Sequence, residues 1–171
     1  MKTKLLLIAL VISSASIAQS VEEFTADFER QKALTLAYIE AMPDDKFGYR
    51  PNDDVRSFAE QLLHAAQGTF NIASNGTGGD RMYAETNLEK EESFQTKEEV
   101  KRLVAESFDY AINGIKSMEA ASFDEVVERG PFKVTRRGWL NKALEHVSHH
   151  RGQCAVYLRL SGVQPPRYQL F

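Results

Sequence analysis

Residues 137–160 read RGWLNKALEHVSHHRGQCAVYLRL, and the way this stretch folds decides the rest of the chain. It carries helical periodicity along its length and stops at Ser161-Gly162, with Pro165-Pro166 beyond. Glycine after the last turn and proline soon after is the expected exit of a helix. His146 and His150 stand four residues apart within it, so on a helix their side chains stack on one face and can bind one metal ion.

Three further stretches show the same periodicity. Residues 21–41 place Phe24, Phe28, Leu34, Tyr38 and Ala41 near one stripe. Met42-Pro43-Asp44-Asp45 ends that stripe, because the residue before a proline resists helical backbone. Residues 57–74 start at Ser57, an N-cap with Glu60 as its capping-box partner, and carry Phe58, Leu62, Ala65, Ala66, Ile72 and Ala73 on one face. Asn75-Gly76-Thr77-Gly78-Gly79 breaks the chain after them. Residues 96–121 repeat Val100, Leu103, Val104, Phe108, Ala111, Ile115 and Met118 at three- and four-residue steps.

The polar segment from 75 to 95 is too long for a tight turn between antiparallel neighbours. It predicts a crossover that makes the second and third helices parallel. Before the fourth helix, Val126-Val127 and Phe132-Lys133-Val134 flank Gly130-Pro131 as a short extended pair. The expected fold class is all-α, one four-helix bundle with a long crossover connection between helices 2 and 3.

A chain of 171 residues, 43% hydrophobic and 26% charged, suits one domain with a proper core and excludes wholesale disorder. Its single cysteine, Cys154, excludes a disulfide framework and a CxxC redox or zinc-ribbon site. Met1 to Gln19 (MKTKLLLIALVISSASIAQ) has the basic start, apolar run and small-x-small end of a secretory signal peptide, with cleavage expected after Ala18. The apolar run falls short of the ~20 residues that span a bilayer. Residues 19–171 would then form a single exported domain, periplasmic or secreted. Removing Lys2 and Lys4 takes the formal net charge from −3 to about −5. An acidic domain without a basic cluster disfavours nucleic acid and has nothing to hold an anionic membrane. The sequence contains no GxGxxG, Walker or GxSxG motif.

The chemistry gathers on histidine. The chain has four, His64, His146, His149 and His150, and none falls in an expected loop. His64 lies inside the second helix between Leu62-Leu63 and Ala65-Ala66, where a bundle can bring it opposite the fourth helix. Three neutral imidazoles suit Zn, Ni, Fe or Cu and leave a coordination position for water or substrate. Spacing alone leaves a second reading open, in which these are hydrogen-bonded core histidines.

Neighbouring residues take their places by the same geometry. His149 points roughly 100° away from His150 about the axis, which suits a neighbour of the site, a surface position or an interface. Cys154 lies ~12 Å along the helix from His146, which suits core packing. Gln153 can reach the rim of the site. Glu60, one turn before His64, can orient a ligand, act as a base, or cap its helix.

The run FAEQLLHAAQGTFNI around His64, followed by LEHVSHHRGQCAVYLRLSGVQPP, resembles the DinB/YfiT-like superfamily over about residues 21–166. The resemblance implies a four-helix bundle with a long connection between helices two and three. It also implies a divalent metal, Zn or Ni first with Fe, Mn or Cu as alternatives, held by His64, His146 and His150. Relatives of this kind include thiol-dependent transferases and isomerases, and they are often dimers. The function expected is therefore a divalent-metal-dependent enzyme, a hydrolase or a thiol-dependent transferase, acting on an unidentified small molecule. Glu60, Gln153 and His149 are its candidate supporting groups. The alternative is a non-catalytic module in which the ion ties helix two to helix four. Export sets thiol transfer against an oxidising compartment, where reduced small thiols are scarce.

Overall fold

The computed structural model describes residues 2–170, residues 2–20 by backbone alone, so the export signal expected over 1–18 lies outside the residues described with side chains. Four helices carry the fold: α1 (Lys2–Ala41), α2 (Phe58–Thr77), α3 (Lys97–Lys116) and α4 (Arg136–Leu160). A hairpin of β1 (Val126–Arg129) and β2 (Phe132–Thr135) precedes α4. Among the described residues no helix is long and apolar enough to cross a membrane.

Local chemistry sets the boundaries. Ser57 and Glu60 form the expected capping box, with Ser57 Oγ accepting from the Glu60 N–H and Glu60 Oε2 accepting from the Ser57 N–H. Each bond satisfies a donor that the first helical turn leaves open. Thr96 and Thr135 cap α3 and α4 with one bond each, their hydroxyls accepting from the Glu99 and Gly138 N–H groups. The hairpin pairs Val126 with Thr135 and Arg129 with Phe132. Its turn is Gly130-Pro131, with Gly130 at φ +57°, a conformation that glycine adopts without steric cost.

Side-chain contacts fix the directions. Gln61 near the start of α2 meets Gln153 and Tyr157 near the end of α4, while Gly76 at the end of α2 packs against Leu140; the two helices are antiparallel. Lys32 and Asp109 pair between the middle of α1 and the later part of α3, and Lys97 at the start of α3 reaches Met42 O and Asp44 just past α1. Those two helices are also antiparallel. Gly79 and Gly114 bring the ends of α2 and α3 together around Thr77 and Tyr110, so α2 and α3 run parallel, as a long crossover requires.

The core between the helices is strongly aromatic. Phe28, Phe58, Phe70, Phe108 and Phe123 are among its fully buried side chains. They meet in stacked or edge-on pairs such as Phe24–Phe123 and Phe28–Phe108.

Two boundaries differ from the sequence expectation. Helix α2 runs through Asn75, Gly76 and Thr77 and ends at Gly78, which adopts φ +81°. Gly76 stays helical because α4 crosses it closely: a Cβ there would stand 2.9 Å from the Leu140 side chain. Helix α3 ends at Lys116 rather than near Ala121. The chain turns at Ser117, and a 3-10 turn at Ala120–Asp124 drives Phe123 into the core against Phe24. Burying a phenyl ring is worth about 1.5–3 kcal/mol, more than another turn of exposed helix.

Candidate metal centre

Helices α2 and α4 are the pair that builds the site. His64 comes from α2 and His146 and His150 from α4, and one ligand nitrogen from each lies within 4.8 Å of the others. The ring centroids are 4.7 Å apart for His64–His150, 5.3 Å for His64–His146 and 4.5 Å for His146–His150. Gly68, one turn beyond His64, makes the approach possible. A Cβ at that position would stand 2.1 Å from His146 Cε1 and 2.5 Å from its Nδ1.

Hydrogen-bond partners locate the ring protons. Glu89 Oε2 lies 2.9 Å from His64 Nδ1, so Nδ1 donates and Nε2 keeps its lone pair. His150 Nδ1 lies 2.8 Å from Gln61 Oε1. The orientation of that amide is fixed from its far side: the Tyr157 hydroxyl donates to Arg56 O at 2.9 Å, and its oxygen accepts from Gln61 Nε2 at 3.3 Å. Gln61 therefore presents its carbonyl to His150, and His150 Nε2 also keeps a lone pair. That lone pair accepts from His146 Nε2 at 3.2 Å.

His146 Nδ1 is buried without a partner. The three rings thus bring their ligand nitrogens together, and once the His146 proton passes from Nε2 to Nδ1 a divalent cation would meet three lone pairs. The donor set fits such an ion. Among the described residues no fourth His, Cys, Asp or Glu joins the group.

Electrostatics keep the imidazoles neutral, the form that ligates. Burial, followed by the neighbouring His64, His149 and Arg56, pushes His146 down from 6.5 to about 4. Burial and then His146, His64, His149 and Arg56 push His150 to about 3. His64 is lowered by burial and by Arg56, against the opposing pull of Glu89.

The supporting candidates fall in different places. Gln153 lies at the rim: its Oε1 accepts from Gln61 and its Nε2 donates to His149 Nε2 at 2.7 Å. A one-way chain of hydrogen bonds therefore runs from His150 through Gln61 and Gln153 to the exposed His149. Glu60 caps α2, and its carboxylate is taken up by the Ser57 N–H, Arg50 and Lys90. Burial works to raise its pKa, but those partners hold it below the ordinary range. Cys154 is fully buried in the core, as its spacing predicts.

Sequence reasoning missed Gln61, Gly68, Glu89 and Tyr157. Gln61 and Gly68 lie one turn either side of His64, a spacing that could have exposed them; Glu89 lies in the crossover, where no periodicity points to it. A cleft of about 380 Å³ opens beside the site, with Arg50, Arg56, Glu60, Gln61, Glu89 and Gln153 in its lining. A second cleft touches His146 and His149, with Ile72 and Lys142 in its wall.

A DinB-like protein of Bacillus subtilis has a similar solved structure, with a TM-score of 0.70 at 23% identity, covering 86% of this chain and 98% of the other. A DinB-like protein of Bacillus cereus gives a TM-score of 0.70 at 13% identity over 86% and 97% of the two chains. A conserved protein of Enterococcus faecalis gives 0.59 at 17% identity over 81% and 95%. These likenesses show the fold. Comparison with curated proteins finds no match. The family model of the DinB superfamily matches residues 27–154, a span that includes all three clustered histidines, and the chain belongs to the DinB superfamily.

Proposed function

We propose that this protein is a divalent-metal-dependent enzyme in which His64, His146 and His150 hold the ion, with Zn or Ni as the metal. The observation that carries the reading is the convergence of three neutral imidazoles from two helices with no fourth protein ligand among the described residues. An all-protein structural site is normally closed by four ligands, whereas three leave a position for exogenous chemistry. An ion bound there supplies a Lewis acid that polarises an electrophile and lowers the pKa of its remaining ligand.

The chain's own residues do the rest. Glu89 and Gln61 hold two of the three rings. Arg56 and Gln153 line the adjoining cleft and offer donors to a polar substrate. His149, at the end of the hydrogen-bond chain, is the exposed group closest to hand for moving a proton. Hydrolysis is the reaction favoured, because the export expected from residues 1–18 would place the site where reduced small thiols are scarce.

Elemental analysis of the purified protein tests the reading. One divalent ion per chain is expected. It should be lost in His64→Ala, His146→Ala and His150→Ala and retained in His149→Ala, and a hydrolase screen should show turnover that a chelator abolishes. Stoichiometric metal with no turnover in hydrolase and thiol-adduct screens, and a melting temperature that falls on chelation, would instead make the ion a structural tie between α2 and α4.

A further inference from the structure

The crossover between α2 and α3 is tied to the metal centre through one side chain. Gln67, three residues after His64, clamps the crossover backbone at three points. Its Nε2 donates to Tyr83 O and Thr86 O, and its Oε1 accepts from the Leu88 N–H at 3.0 Å. Tyr83 sits at φ +54° and its hydroxyl meets the Glu106 carboxylate at 3.1 Å. Leu88 is fully buried and plugs the segment into the core. On the far side, Gln95 Nε2 donates to Glu89 O at 3.1 Å. Glu89 is thus fixed by the residue before it and by a bond to its own carbonyl, and its carboxylate can reach only a narrow region.

That region holds His64 Nδ1 at 2.9 Å and Arg56 Nε at 2.7 Å. The three rings differ in this respect. His150 leans on a neutral amide, His146 Nδ1 has no partner, and only His64 meets a carboxylate. A carboxylate behind an imidazole fixes its tautomer and orientation and raises its basicity as a ligand.

We propose that Glu89 is the positioning residue of the metal centre: delivered by the crossover and set by the Gln67 clamp, it holds His64 in the Nδ1–H tautomer so that Nε2 faces His146 and His150. The tautomer part concerns the metal-free protein, and only the affinity part rests on the metal-binding reading above. A role confined to pairing with Arg56 predicts lost stability without any change in the His64 ring.

The test is a long-range proton–nitrogen correlation spectrum of the imidazoles in the chelated full chain at neutral pH. Zinc affinity is measured alongside it by competition with a chromophoric chelator. His64 should carry its proton on Nδ1 in the wild type and in Arg56→Met. In Glu89→Ala it should move to Nε2 or to a mixture, with zinc bound roughly 10- to 100-fold more weakly. A wild-type His64 protonated on Nε2, or an unchanged tautomer in folded Glu89→Ala, overturns the proposal. If Glu89→Ala does not fold, Gln67→Ala replaces it. Loss of the Nδ1–H preference with weaker zinc binding supports the clamp, and wild-type tautomer and affinity overturn it. A wild type that binds no zinc would defeat the metal-binding reading while the tautomer still decides the role of Glu89.

Discussion

The His146 imidazole lies so close to Gly68 that a Cβ on that residue would stand 2.1 Å from Cε1. Glycine inside a helix costs about 1 kcal/mol relative to alanine, so the bare Cα is a local weakness that the site exploits. Gly68→Ala should restore that propensity while pushing the end of a flexible side chain aside. The chelated variant is expected to melt no lower than the wild type, and divalent metal should bind at least about tenfold more weakly, since ligand placement governs affinity. Thermal unfolding of the chelated protein and a metal titration read the two effects separately. Unchanged affinity would mean that His146 is not held where a metal needs it.

The same pair marks what could and could not be read before the structure. His146 and His150 were legible as a pair because helical spacing fixes which residues share a face, whereas His64 joined them through the family resemblance; the Ser57–Glu60 box, the Gly130-Pro131 hairpin and the parallel run of α2 and α3 follow from loop length and other local rules. Gly68 reads in isolation as a helix-weakening residue, and its purpose shows only when α4 lies across it. Gly76 misled for the same reason: it resembles a break, yet it is a contact point for Leu140. Glu89 was not legible at all. Its position depends on the Gln67 clamp and the buried Leu88, both tertiary, and a loop carries no period from which to infer a direction.

Cys154 is fully buried, and burial pushes its thiol up to about 12 against the opposing charge of Arg151. The thiolate is the reactive form, so the folded protein should be nearly inert to a disulfide reagent such as Ellman's. One thiol per chain should react at once in denaturant, and the native rate should be that rate scaled down by the small fraction of chain that is open. Fast stoichiometric labelling of the native chain would contradict the packing around α4.

Arg151 is buried, at 3% exposure. Among the described residues its hydrogen-bond partners are neutral, Gln31 Oε1 and Thr35 Oγ1, and the Tyr168 ring lies 5.8 Å from its Cζ. Burial lowers its pKa, as expected for a cation denied a carboxylate. Removing the acceptor leaves a charge without its best partner, so Gln31→Leu should cost about 2–3 kcal/mol. Removing both members as Gln31→Leu/Arg151→Met should recover most of that loss. Urea unfolding of the two variants decides it; a single Gln31→Leu within about 0.5 kcal/mol of wild type would show that the guanidinium has other support.

Acid should destabilise the metal-free protein before its carboxylates titrate. His146 and His150 fall from 6.5 to about 4 and about 3 in the folded chain, so below 6.5 the unfolded chain takes up protons that the folded chain refuses. Stability is therefore complete above the unfolded value and declines as pH falls toward the folded values. Between about pH 7.5 and about pH 5, where Asp and Glu remain ionised, the two rings together should remove on the order of 2–4 kcal/mol. Glu60 and Glu89, held below their ordinary range, add their own loss only at lower pH. Thermal melts of the chelated protein across that window should show a falling midpoint, and His146→Gln/His150→Gln should flatten it. Equal midpoints for the wild type at both ends would place the two imidazoles in water rather than in the sheltered pocket between α2 and α4.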